Sequence, residues 1–183
     1  PIWVSVFTTD TFSCIKNRGI NGCMLKVDKA LKDAENTRYC LKIDVKKFYP
    51  SIDHDVLKQI VRRKIKCPDT LALLDQIIDS APGVPIGNYL SQYYANLFLA
   101  YFDHWIKEKV GVKYYFRYAD DMVFLHKDKT FLHDLLTRID AYLRNNLHLT
   151  IKANYQVFPI AKNHSDKHGR GLDFVGFVFY HEH

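Results

Sequence analysis

Hydrophobic and polar positions alternate most cleanly over Arg38–Val45. Tyr39, Leu41, Ile43 and Val45 fall on one face, with Cys40, Lys42 and Asp44 on the other. A period of two predicts a strand with a carboxylate near its end, stopped by Pro50. The period then lengthens. Asp53–Ile65 reads as a helix with Asp53 and Asp55 in its first turn and Lys58, Arg62, Arg63 and Lys64 later, the order favoured by the helix dipole. Leu71–Ser80 is a short apolar helix ended by Pro82-Gly83-Val84-Pro85. The longest helix is predicted over Asn88–Lys109. Leu90, Tyr94, Leu97, Tyr101 and Trp105 recur there at three- and four-residue spacing, and Gly111 closes it.

Two aromatic and β-branched runs follow, Lys113–Tyr118 and Met122–His126. Ala119-Asp120-Asp121 joins them, which predicts a hairpin with two carboxylates at its turn. Phe131–Asn146 has the stripe of an amphipathic helix, with Leu132, Leu135, Leu136, Ile139 and Leu143. Leu147–Ile151 and Tyr155–Ile160 read as a further strand pair, and Leu172–Tyr180 as one closing aromatic strand. Residues 1–37 are irregular apart from a helical stretch at Met24–Lys32. This order predicts an α+β fold: an antiparallel sheet with helices packed on one face, not a doubly wound parallel sheet.

Composition narrows the class. With 183 residues, 48% hydrophobic and 25% charged, the chain suits one substantial domain or two small lobes with a buried core. A disordered tail, a collagen-like fibre and a disulfide-dense mini-protein are excluded. The 26 basic and 20 acidic residues leave a net charge of +6. That suits a polyanionic partner, although many ordinary proteins share it. Cys14, Cys23, Cys40 and Cys67 offer no C-x-x-C pair, so free, mostly buried thiols in a reducing compartment are expected. His164 and His168 lie in a charged loop and not on a helix face, so no zinc site is expected there, and His181-Glu182-His183 is assigned no role. No run approaches the ~20 apolar residues of a membrane span. The expectation is a cytoplasmic protein without membrane contact, and Pro1 in place of Met suggests a trimmed or partial chain.

Three carboxylates stand out. Asp44 ends an apolar strand, and Asp120 and Asp121 share a tight turn between two others. An adjacent Asp pair in a turn is by itself ordinary turn chemistry. A carboxylate at a strand end must be solvated, paired or bound to a cation. Hard divalent ions take few carboxylates plus substrate phosphates, and two of them clamp the attacking and leaving oxygens of a phosphoryl displacement.

On those residues the chain resembles reverse transcriptases. Leu41-Lys42-Ile43-Asp44-Val45-Lys46-Lys47-Phe48-Tyr49-Pro50-Ser51-Ile52 and Tyr118-Ala119-Asp120-Asp121 look like motifs A and C of that family. Gly83-Val84-Pro85-Ile86-Gly87-Asn88-Tyr89-Leu90-Ser91-Gln92 is similar to motif B, Leu147-x-Leu149-x-Ile151-Lys152 to motif D, and Gly171-Leu172-Asp173-Phe174-Val175-Gly176-Phe177 to motif E, the primer grip. Asn17-Arg18-Gly19 with Leu25 and Ala30-Leu31 resembles a fingers motif of the bacterial, group II intron-like enzymes.

The resemblance implies a palm over 38–183 and partial fingers over 1–37, with no thumb. It implies RNA-directed DNA synthesis with two Mg²⁺ ions, for which Mn²⁺ can substitute. Asp44 and Asp120 would hold the ions with the Val45 carbonyl, and Asp121 would support them. Tyr49 would lie under the sugar of the incoming deoxynucleotide, unless it is simply a core aromatic. Lys152 would approach the triphosphate and could protonate the leaving pyrophosphate, unless it is a solvated surface lysine. Arg18 would reach template or nucleotide phosphate, and Gly87 would let the backbone approach the nucleotide. The implied partners are an RNA template, a DNA or RNA primer, deoxynucleoside triphosphates and an accessory protein.

One departure points to a branch. Many family members carry Gln-Gly-x-x-x-Ser-Pro in motif B, but here Ile86 replaces the Gln and Gln92 the Pro. This form is similar to the enzymes of diversity-generating retroelements, which copy with errors at adenines. Ile86 offers shape but no hydrogen bond to the nucleotide. Two other readings stand beside synthesis: a catalytically silent or defence-type homologue acting by binding, and a small RNA-binding domain with exposed stacking aromatics.

Overall fold

The computed structural model describes residues 2–85 and 87–182, so Ile86 lies outside the described residues. Five α-helices and six β-strands follow the predicted order. They are α1 (Gly19–Leu31), β1 (Tyr39–Asp44), α2 (His54–Arg62), α3 (Pro68–Ile78), α4 (Tyr89–His104), β2 (Tyr114–Tyr118), β3 (Asp121–His126), α5 (Lys129–Leu147), β4 (Gln156–Pro159), β5 (Leu172–Phe174) and β6 (Phe177–Phe179).

Local chemistry sets the ends of the helices. Asp53, Asn88 and Asp128 cap α2, α4 and α5 by accepting from Val56 N–H (3.0 Å), Leu90 N–H (2.9 Å) and Thr130 N–H (2.8 Å). Pro68 occupies the first turn of α3, where its missing N–H costs nothing. Helix α4 runs on into a π turn over Trp105–Val110, and Gly111 at φ +78° ends it.

A four-stranded antiparallel sheet in the order β2-β3-β1-β4 is the centre of the fold. Helices α2 to α5 bury their apolar residues against one face, around Leu41, Ile43, Tyr115, Met122 and Phe124. Helix α1 and the β5–β6 hairpin cover the opposite face at Cys40, Phe116, Val123, Leu125 and Phe158. Both faces are therefore sealed over most of the sheet, and Asp44 and Asp121 sit half-buried at the end where β1 finishes.

Three local expectations are corrected. Leu147–Ile151 and Tyr155–Ile160 do not pair with each other. Both lie on the free edge of β1, where β4 pairs with Tyr39–Lys42 and Ile151 bridges to Val45. Leu172–Tyr180 is a hairpin, not one strand, because Val175 and Gly176 both take positive φ (+50° and +83°) and reverse the chain. Strand β1 ends before Pro50, since the chain turns at Lys47 with φ +47°. Of the four cysteines, all free, Cys23 and Cys40 are buried while Cys14 and Cys67 are exposed. Burial pushes the Cys23 thiol up to about 12 and Cys40 further, so neither ionises readily. Among the described residues no helix is long and apolar enough to cross a membrane. His181 donates its backbone N–H to Ala161 at 3.3 Å and sets its ring 3.2 Å from the Thr37 carbonyl, a packing role.

Candidate active site

The β1–β3 register sets Asp44 directly opposite Asp121, and the Tyr118–Asp121 pair closes β2 onto β3 through Ala119 and Asp120. Two cross-strand carboxylates and a third in the adjoining turn thus share one sheet end. Like charges facing each other oppose folding unless a cation intervenes. Lysines supply part of that charge. Lys152 Nζ lies 2.7 Å from Asp44 Oδ2, and Lys42 Nζ lies 3.5 Å from Asp121 Oδ2. Lys42 also donates to the Asp173 carbonyl at 2.7 Å, which ties the β5–β6 hairpin to the site.

The second oxygen of each facing carboxylate is buried without a partner: Asp44 Oδ1 and Asp121 Oδ1. An orphaned carboxylate oxygen is costly in a finished fold, and one on each of two facing residues fits a hard divalent cation. Among the described residues, no three His, Cys, Asp or Glu side chains enclose an ion by themselves. Mg²⁺ takes one or two carboxylates and completes its shell with water and substrate phosphate. Burial, then the hydrogen bond and repulsion from Asp44, raise Asp120 to about 6. Burial chiefly raises Asp121 to about 6 as well, against the Lys42 charge.

Val45 is fully buried, and its pairing with Ile151 is of the non-hydrogen-bonded kind. The ladder bonds run from Lys46 N–H to Thr150 O and from Lys152 N–H to Asp44 O, both 2.8 Å. Val45 therefore turns its own carbonyl away from that strand, toward the β3 side. The same two bonds hold Lys152 beside Asp44, and the site is bordered on both sides. Lys42, Asp121, Gln156 and Asp173 line a polar depression of about 380 Å³ toward the β5–β6 hairpin. Lys46, Arg144 and Lys152 line another of about 520 Å³ toward α5.

Tyr49 begins the short 3₁₀ turn after β1, half-buried with its ring 5.5 Å from that of Phe48. Burial chiefly raises its hydroxyl, with Cys14 and Asp120 adding to the shift. Its backbone grips the motif B loop: Val84 N–H donates to Tyr49 O at 3.1 Å. Gly83 makes that approach possible. At φ +66°, an added Cβ would sit 2.0 Å from Tyr49 O and 2.6 Å from Pro50 Cα. His54 Nε2, 2.7 Å from the Gly83 carbonyl, anchors the same loop to α2. Gly87 has φ +89° but faces open space. Gly83→Ala should therefore cost about 2–4 kcal/mol in urea unfolding, strain and overlap together, against about 1 kcal/mol for Gly87→Ala, strain alone. Equal costs would refute this account of the loop.

The remaining expected residues are peripheral. Gln92 is exposed in the first turn of α4. Arg18 donates to the carbonyls of Thr8 and Thr11, so its guanidinium fastens the N-terminal segment, while its flank shares a depression with Tyr118. Asn96, Asp103 and Arg117 escaped the sequence reading altogether. They form a buried polar group directly beneath the carboxylate turn. The signal was available: three polar residues stand in runs otherwise apolar, two of them seven apart on one helix.

Comparison with known proteins bears on the fold and the family. Protein YkfC of Escherichia coli (strain K12) is 26% identical over 122 residues, 60% of this chain and 32% of that protein. Apo telomerase from Candida tropicalis superposes with a TM-score of 0.64 at 13% identity, over 94% of this chain and 36% of that one. The same telomerase truncated from its C-terminal domain gives 0.69 at 14% identity, over 93% and 39%. The chain thus spans about a third of the length of these proteins. The structural likenesses establish a shared fold. Residues 2–159, most of the chain, match the family described as reverse transcriptase (RNA-dependent DNA polymerase), and to that family the chain belongs.

Proposed function

We propose that this chain is the polymerising palm of an RNA-directed DNA polymerase, with residues 1–37 as partial fingers and 38–183 as the palm. The observation that carries the reading is the meeting of Asp44, Asp120 and Asp121 at one sheet end, with a buried, unpartnered oxygen on Asp44 and on Asp121. Those carboxylates and the Val45 carbonyl would hold two Mg²⁺ ions, which when bound activate the primer hydroxyl and neutralise charge on the transferred phosphoryl group.

The rest of the work falls to the chain itself. Lys152, fixed by its backbone bond to Asp44, offers an ammonium at the edge of the site, and Asp44 above all raises its pKa. There it would balance triphosphate charge and hold a proton for the departing pyrophosphate. Lys46 stands in the same depression. The Tyr49 ring would form the floor under the sugar and collide with a 2′-hydroxyl. The depression walled by Lys42 and Asp173 would take the primer end, beside the hairpin that resembles a primer grip. RNA template, primer and deoxynucleotides are thus the proposed partners.

The test is extension of a primer on an RNA template by the full-length protein with Mg²⁺, in the presence and absence of a chelator. Extension that requires the metal supports synthesis. None in either condition would favour the binding-only reading. In the same assay Tyr49→Val should raise ribonucleotide incorporation relative to deoxyribonucleotide about tenfold or more, the equivalent of losing ~1.4 kcal/mol of steric rejection. An unchanged ratio would return Tyr49 to the core.

A further inference from the structure

Arg117 is the largest fully buried side chain among the described residues. A guanidinium without solvent must have its donors met by protein. Its Nε and Nη2 donate to Asp103 Oδ1 and Oδ2 at 2.8 and 2.6 Å, and Nη1 donates to Asn96 Oδ1 at 3.2 Å. The partners are themselves fixed. Asp103 accepts from the Tyr115 hydroxyl at 2.6 Å and Thr11 Oγ1 at 3.0 Å, and Asn96 donates to the Ser13 carbonyl at 2.8 Å. Asn96 and Asp103 lie two helical turns apart, so α4 presents both to β2.

Arg117 reaches from this cluster to the carboxylate turn: its Nη1 donates to the Ala119 carbonyl at 2.9 Å. Ala119 takes φ +54°, which an L-residue with a Cβ adopts only when its surroundings compel it. The next two residues are Asp120 and Asp121. We propose that Arg117, locked by Asp103 and Asn96, is a positioning residue that sets the left-handed turn at Ala119 and so aims Asp120 and Asp121 at the reaction. The proposal rests on the polymerase reading of the site and adds a residue that touches neither substrate nor metal.

The test replaces Arg117 and Asp103 together by Met and Leu in the full-length protein. This removes the bond to Ala119 without leaving a buried charge unpaired. Arg117→Lys is the second variant, keeping the charge but losing the fork that spans Asp103 and Ala119. For each variant that keeps the wild-type circular dichroism spectrum, kcat should fall at least tenfold, with KM for deoxynucleotide within twofold. Mn²⁺ affinity, read by electron paramagnetic resonance, should weaken several-fold although all three carboxylates remain. A folded variant with wild-type kcat, or with wild-type Mn²⁺ affinity, overturns the proposal. The polymerase reading fails separately, if the wild-type protein neither binds Mn²⁺ nor extends a primer.

Discussion

Asp120→Asn should lower primer extension by at least about a thousandfold and yet raise stability at neutral pH. On the proposed reading Asp120 helps to hold an ion, and losing such a carboxylate removes several kcal/mol of charge stabilisation from phosphoryl transfer; about 4 kcal/mol corresponds to that factor. Stability moves the other way because Asp120, ordinarily near 3.8, is raised to about 6 in the folded chain. A group raised on folding contributes stability that is fully present below its unfolded pKa and lost as pH climbs through the folded one. At pH 7 the folded chain holds an ionised carboxylate where burial and Asp44 disfavour it. An amide carries no such charge. Without added metal the variant should gain about 1–2 kcal/mol at pH 7, after discounting for partial exposure, and nothing near pH 4. Urea titrations at the two pH values give the difference directly. Asp44→Asn should abolish extension equally but gain less stability, because it also strips Lys152 of its partner at 2.7 Å. Activity within tenfold of wild type in either variant would sink the assignment.

Much of the fold that carries the candidate site was legible in the residue order, for identifiable physical reasons. Strand β1 declared itself because its alternation puts Leu41 and Ile43 into one core and Cys40 into the other, and a slip of one residue would reverse them. The caps at Asp53, Asn88 and Asp128 are local hydrogen bonds, so sequence sufficed to place those helix starts within a few residues. What escaped was non-local. Periodicity shows that 156–159 is extended but not that its partner is β1, more than a hundred residues earlier. The Val175-Gly176 reversal was hidden because valine is a strong strand former and a poor turn residue, overridden here by Leu172–Phe179 pairing. Likewise Asn96 and Asp103 each look like errors in an apolar helix until Arg117 arrives from β2.

That buried pair carries the largest expected effect on stability. Asp103→Ala would leave Arg117, with no exposed side-chain surface, deprived of two bonds, and would orphan the Tyr115 hydroxyl and Thr11 Oγ1. A buried charge stripped of its partner costs about 3–5 kcal/mol, since neither water nor the core can replace the carboxylate. At roughly 2–4 °C per kcal/mol for a chain of this size, the melting temperature should fall by about 10 °C or more. Asp140→Ala is the control. Its pair with Arg144 is as short, 2.7 Å, but Arg144 is 57% exposed, and such pairs contribute at most about 0.5 kcal/mol. Replacing Arg117 and Asp103 together by Met and Leu should recover part of the loss, because the unpaired charge is gone although the Tyr115 and Thr11 hydroxyls still lack the carboxylate. A single Asp103→Ala variant as stable as Asp140→Ala would mean that the guanidinium finds water or another acceptor. The turn at Ala119 would then have no fixed support beneath it.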